Sequence, residues 1–84
     1  MDYEVSISIK AIEFIVFTLK KEGTRLLFEF QRLGSDPHRE PDFSDKGEEG
    51  ELNGILVDEY AILYYVDHAA KRINVVDVTY ADQI

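Results

Sequence analysis

The sequence predicts an α+β fold: two helices packed on a small twisted, mostly antiparallel sheet, in the order β-α-α-β-β-β. Three observations carry this prediction. The first residues alternate apolar and polar side chains. Two segments with helical spacing follow, divided by a glycine. From residue 51 the period returns to two and holds through three runs. The 84 residues suit one domain, taken as 1–84 with an acidic loop at 35–50. Five Phe and five Tyr supply large side chains for so small a core.

Residues 3–9, YEVSISI, open the chain as a strand with one wet face. Tyr3, Val5, Ile7 and Ile9 face one way, and Glu4, Ser6 and Ser8 the other. In KAIEFIVFTLKK, residues 10–21, Ile12, Ile15, Val16 and Leu19 follow i, i+3, i+4, i+7 spacing, so a helix is expected. Phe14 and Phe17 then lie on a separate flank. Gly23 breaks the pattern, and Thr24 is placed to cap a second helix. That helix puts Leu26, Leu27, Phe30 and Leu33 on one face and Arg25, Glu29 and Arg32 on the other. Gly34 sits where a left-handed C-cap belongs, and Pro37 prevents resumption.

SDPHREPDFSDKGEEG, residues 35–50, reads as a long loop, and a loop of that length in a small domain is usually functional or mobile. ELNGILV is a strand with a bulge expected at Asn53-Gly54. Asp58-Glu59 makes a tight turn. YAILYYV then sets Tyr60, Ile62, Tyr64 and Val66 against Ala61, Leu63 and Tyr65. After the hairpin loop DHAAKR, the last strand sets Ile73, Val75, Asp77 and Thr79 against Asn74, Val76, Val78 and Tyr80. No internal repeat is visible.

Charge narrows the function classes. The net charge is −8. Residues 1–34 hold five acids and five bases, whereas 35–50 and 51–84 each hold six acids and two bases. Nucleic acid attracts basic surfaces, so direct nucleic-acid binding is not expected, and a basic protein partner fits better. There is no cysteine, which excludes disulfides and thiolate chemistry and fits a reducing cytoplasm. The N-terminus does not read as a signal peptide, and the longest apolar run, Phe14–Phe17, is far shorter than a membrane span.

The concatenation of these elements resembles the RelE/ParE family of bacterial toxin–antitoxin toxins across nearly the whole chain. Four stretches carry the likeness: SIKAIEFI at the strand-to-helix start, RLGSDP at the second helix end, ELNGILVDEYAILYYVD, and KRINVVDV at the closing strand. The resemblance implies a RelE-like α+β fold, plasmid-stabilisation biology and a cognate antitoxin that wraps around the domain. The RelE branch cuts messenger RNA with basic and polar residues on the sheet, and the ParE branch acts on DNA gyrase. In-line attack by a 2′-oxygen needs a base, an acid and cations for the developing charge. Where the family commonly carries those basic residues, this chain has Asn53, Ala61, Asp77 and Tyr80-Ala81. The expected function is therefore a divergent toxin-family domain that acts through protein contacts without the usual ribonuclease site. The alternatives are a stand-alone binding or homodimerisation domain, and an RNA-cutting enzyme with an unusual tyrosine and carboxylate site.

No residue set reads as a complete catalytic site; the candidates for one are Tyr80, Asp77 and Tyr65, with Tyr64 beside them. Each has an ordinary reading as well, a sheet aromatic or an outward carboxylate. Partner-binding candidates are Phe14, Phe17, Glu40, Asp42 and Phe43. His38 and His68 read as surface residues, and the basic cluster of Lys20, Lys21, Arg25 and Arg32 as a solvated helix face. The acids Glu40, Asp42, Asp45, Glu48, Glu49 and Glu51 lack the spacing of a calcium loop. No metal and no cofactor are expected.

Overall fold

The computed structural model describes residues 2–17, 20–48 and 50–83. The elements are β1 (Glu4–Ile7), α1 (Ile9–Phe17), α2 (Lys20–Ser35), β2 (Phe43–Gly47), β3 (Gly50–Val57), β4 (Tyr60–Asp67) and β5 (Arg72–Tyr80), followed by a 3-10 turn at Ala81–Gln83. The strands form one sheet in the order β1-β5-β4-β3-β2. β1 runs parallel to β5, and every other pair is antiparallel. Both helices pack on one face, so the expected α+β architecture is present with one strand more than the sequence suggested.

That extra strand is β2, inside the segment read as a loop. Asp, Lys and Gly are poor strand formers, but pairing with β3 overrides the local preference. The Phe43 ring lies over Gly54, filling the space a β-carbon would occupy there. The Asp42 N–H donates to the Gly54 carbonyl at 2.9 Å, and an Asp42 carboxylate oxygen accepts the Leu56 N–H at 2.7 Å. One side chain thus continues the ladder past the end of β2.

The helix boundaries also differ from expectation. α2 is already formed at Lys20, so Gly23 and Thr24 lie inside it and neither divides nor caps it. Gly34 is likewise inside α2 and serves close approach. Its carbonyl accepts the Tyr3 N–H at 2.8 Å, and an added β-carbon would stand 2.8 Å from the Tyr3 carbonyl oxygen and 2.9 Å from Val5 Cγ2. The cap that the sequence reading missed is Ser8. Its Oγ accepts the Ala11 N–H at 3.1 Å and donates to the Val76 carbonyl at 2.8 Å, which ties the start of α1 to β5.

The Asn53-Gly54 bulge is absent, and pairing there is regular. The irregularity lies in β5 instead, where Leu63 pairs with Asp77 and Tyr64 with Val75, leaving Val76 as the additional residue. One inserted residue exchanges the faces of everything after it. Val78 and Tyr80 therefore join Ile73 and Val75 on the helical face, and Asp77 and Thr79 join Asn74 on the other. The Asp58-Glu59 turn is as expected, with Asp58 at φ 55°.

The core lies between the helices and the sheet. It comprises Leu26, Phe30 and Leu33 of α2, Ala11 of α1, and Ile55, Val57, Tyr60, Ile62, Tyr64, Ile73, Val75 and Val78 of the strands. α1 is rotated relative to the predicted stripe. Phe14 and Ile15 pack on the core, whereas Ile12 and Val16 are exposed. Leu19 lies outside the described residues. Leu27, assigned to the buried face of α2, is also exposed.

Candidate functional site

The sheet face away from the helices is the first candidate surface. Register places Phe43, Leu63, Tyr65, Asn74 and Asp77 on it. Tyr65 lies across Gly47, whose missing side chain makes room for the ring. Two cations meet carboxylates of this region. Lys10 reaches Asp77 at 3.2 Å, and Arg72 reaches Glu4 at 3.0 Å. Asp77 thus neutralises a nearby lysine and adds no positive field.

Tyr80 is on the opposite face. Its ring sits 5.4 Å from Phe14 and 5.4 Å from Tyr60, and Phe14 meets Tyr60 edge-on at 5.8 Å. The bulge therefore separates Tyr80 from Asp77 and Tyr65, and the three catalytic candidates do not converge. Tyr64 is buried in the core, and burial pushes its phenol above the usual 10.0. Arg39 offsets this and Asp42 adds to it in smaller measure.

A second candidate surface is a cleft of about 400 Å³ beneath the α2–β2 connection. Its lining includes His38, Arg39, Glu51, Asn53, Tyr65 and His68. The two histidines, far apart in sequence, stack with ring centres 5.0 Å apart and planes 6° from parallel. The hydroxyl of Tyr3 is 2.9 Å from His68 Nδ1. Nothing in the sequence flagged this cluster, because the fold assembles it from three distant segments. Among the described residues no group of three or more His, Cys, Asp or Glu is placed to hold a metal.

The third surface is apolar and lies on the helical side. A groove of about 820 Å³ runs between β1 and α2, walled by Tyr3, Val5, Ile7, Leu27, Phe28 and Phe30. On α1, Ile9, Val16 and Phe17 stand exposed, Phe17 at 87%. An exposed apolar stripe on a helix is unusual for a free monomer surface. Of the sequence-predicted partner residues, Phe17 lies on this surface and Phe14 beneath it. Glu40 is exposed on the loop before β2. Asp42 and Phe43 are engaged in holding β2, as described above. Arg25 pairs with Asp58 at 2.9 Å, and Arg32 pairs with Glu29 at 3.3 Å. No described helix is long and apolar enough to cross a membrane.

No protein-family model matches the sequence, and no curated protein is similar to it in sequence. Solved structures do match. The archaeal RelE–RelB complex from Pyrococcus horikoshii superposes with a TM-score of 0.81 at 19% identity, over 100% of this chain and 100% of that one. The chain has a RelE-like fold. The RelBE2 toxin–antitoxin complex of Mycobacterium tuberculosis matches with a TM-score of 0.78 at 18% identity, covering 95% of this chain and 92% of that one. The intact Escherichia coli RelBE complex gives 0.69 at 14% identity, with 94% and 96% covered. At such low identity the RelE-like fold is held by core positions and strand register, while side chains on the open face are free to differ.

Proposed function

We propose that this chain is a RelE-like toxin-type domain that acts through protein contacts, with an antitoxin-like partner covering its apolar helical side. The observation that carries the reading is the open sheet face, where Arg72 is paired with Glu4 and the carboxylate of Asp77 is paired with Lys10 of α1. A phosphorane-like transition state requires cations free to meet it. The exposed stripe of Ile9, Val16 and Phe17 and the groove beside β1 supply the partner surface. The similar structures are complexes with RelB, which supports a covering chain of that kind. Acidic charge on the rest of the molecule favours a partner with basic flanks around its apolar anchors.

The test is tightly controlled induction of this chain in growing bacteria, with messenger RNA integrity followed in parallel. Growth arrest with intact messenger RNA is the expected result. Normal growth, with soluble folded protein in the same cells, overturns the toxin reading and leaves a stand-alone binding or dimerisation domain. A second reading, cleavage of RNA, is favoured by one observation. His38, His68, Arg39 and Tyr65 share a cleft, and imidazole and guanidinium are the groups such chemistry uses. Cleaved messenger RNA, abolished by His38→Gln or His68→Gln, would establish that reading instead.

A further inference from the structure

We propose that α1 pairs two copies of this chain, antiparallel across a two-fold axis that passes beside Ile12. α1 is apolar on two opposite sides. Ala11, Phe14 and Ile15 pack inward on the core. Ile9, Ile12, Val16 and Phe17 stand outside, at 76%, 46%, 73% and 87% exposure. Ile9, Ile12 and Val16 have the i, i+3, i+7 spacing of a helix-pairing seam, and Phe17 widens it on one side. The seam does not rest on the toxin reading. The antitoxin-like partner would use the same stripe, so it and the second copy exclude one another.

Charge selects a second copy as the occupant. The acid excess lies in residues 35–84, whereas residues 1–34 are balanced at five acids and five bases. The outer side of α1 carries one of each, Lys10 and Glu13. Glu13 has no hydrogen bond or ion pair among the described residues. Lys10 is bound to Asp77 at 3.2 Å, but its side chain is 74% exposed. Its ammonium has three donors, of which Asp77 takes one.

A helix turns by about 100° per residue, which puts Lys10 and Glu13 on the same flank as Phe17. Antiparallel helices related by a two-fold face each other with like flanks. With Ile9 set against Val16 of the second copy, and Ile12 against Ile12, each Lys10 lies about 3 Å along the axis from the other copy's Glu13. The two Glu13 carboxylates approach the two-fold with a lysine on either side, so the row of four charges is neutral. The stripe has no surplus of acid to call for a basic partner, and a second copy brings to its unpaired carboxylate a cation already in place.

The seam is small. Nine residues make a helix about 13 Å long. Four side chains bury less than the roughly 800 Å² per partner of a standard interface. The dimer is therefore weak and concentration-dependent, with a dissociation constant of about 10–100 μM.

Sedimentation velocity of the purified full chain between about 5 and 500 μM brackets that value. The expected result is a reversible shift from one copy to two, absent in Val16→Glu with the circular dichroism unchanged. A chain that stays monomeric throughout, assembles beyond two copies, or dimerises as before in Val16→Glu overturns the proposal. Charge exchange tests the register. Lys10→Glu is expected to weaken the dimer about tenfold, and adding Glu13→Lys to recover most of that loss. No loss, or no recovery, overturns the antiparallel seam. Should the variants not fold, the native chain still decides. In a mixture of labelled and unlabelled chains, cross-relaxation between Ile9 methyls of one copy and Val16 methyls of the other is expected, and its absence overturns the pairing. Growth of induced cells, which decides the toxin reading, is a separate measurement, so either proposal can fail alone.

Discussion

At the scale of single residues, two phenylalanines three positions apart have opposite roles. The sequence placed Phe14 and Phe17 on one flank because α1 is apolar on several sides and its periodicity selects no unique face. Packing resolves what periodicity leaves open: Phe14 meets Tyr60 and Tyr80, and Phe17 is exposed. Phe14→Ala is expected to cost about 2 kcal/mol, below the range of a fully buried ring. Phe17→Ser is expected to change stability by less than about 0.5 kcal/mol. Urea titration of both variants checks the pair, and equal losses would contradict the assignment. Tyr64 gives a pH prediction. Its phenol is raised above 10.0, chiefly by burial, so the folded state holds the proton more tightly than the unfolded chain. The stability so gained is complete below about pH 10 and is lost as pH rises through the folded-state value. The urea midpoint should drop above about pH 10 more steeply in the native chain than in Tyr64→Phe. Parallel curves for the two proteins would rule this out.

At the scale of elements, the sequence disclosed β1, β4 and the Asp58-Glu59 turn well, because alternation and turn chemistry are local signals. It disclosed β2 and the β5 bulge poorly, because both exist only through pairing. β2 is held by Phe43 lying on Gly54 and by Asp42 bonding to β3, and neither partner is near in sequence. The bulge at Val76 has no turn residue to announce it, yet it decides the faces of Asp77 and Tyr80. It also turns the Val76 carbonyl to Ser8, whose hydroxyl caps α1 in the same gesture. Ser8→Ala removes both bonds and is expected to destabilise the fold by about 1–2 kcal/mol. Thermal or urea unfolding measures the loss. Asp at position 8 retains the cap but cannot donate to the Val76 carbonyl, so Ser8→Asp should recover only part of it. Full recovery by Asp would mean that the link to the bulge contributes nothing.

At the scale of the whole molecule, charge and face determine what the RelE-like fold can be used for. The sequence already showed that the acids are concentrated beyond residue 34, and the structure adds where four of the nine bases go. Arg25 is bound to Asp58, Arg32 to Glu29, Lys10 to Asp77 and Arg72 to Glu4. The basic ends of these pairs are largely exposed and each pair contributes little to stability, but each sets a carboxylate beside a base that a phosphate backbone would otherwise meet. The net charge of −8 acts at longer range in the same direction. Basic domains bind nucleic acid non-specifically with dissociation constants of about 10⁻⁴ to 10⁻⁶ M, and that affinity falls steeply with salt. This chain should show no binding to a fluorescein-labelled single-stranded RNA 12-mer by anisotropy below about 100 μM protein at about 0.1 M salt. Lowering the salt should not rescue it, since weaker screening strengthens repulsion between an acidic protein and RNA. Binding that tightens at low salt would reveal a cationic path over the surface and would move the balance from protein contacts to the histidine cleft.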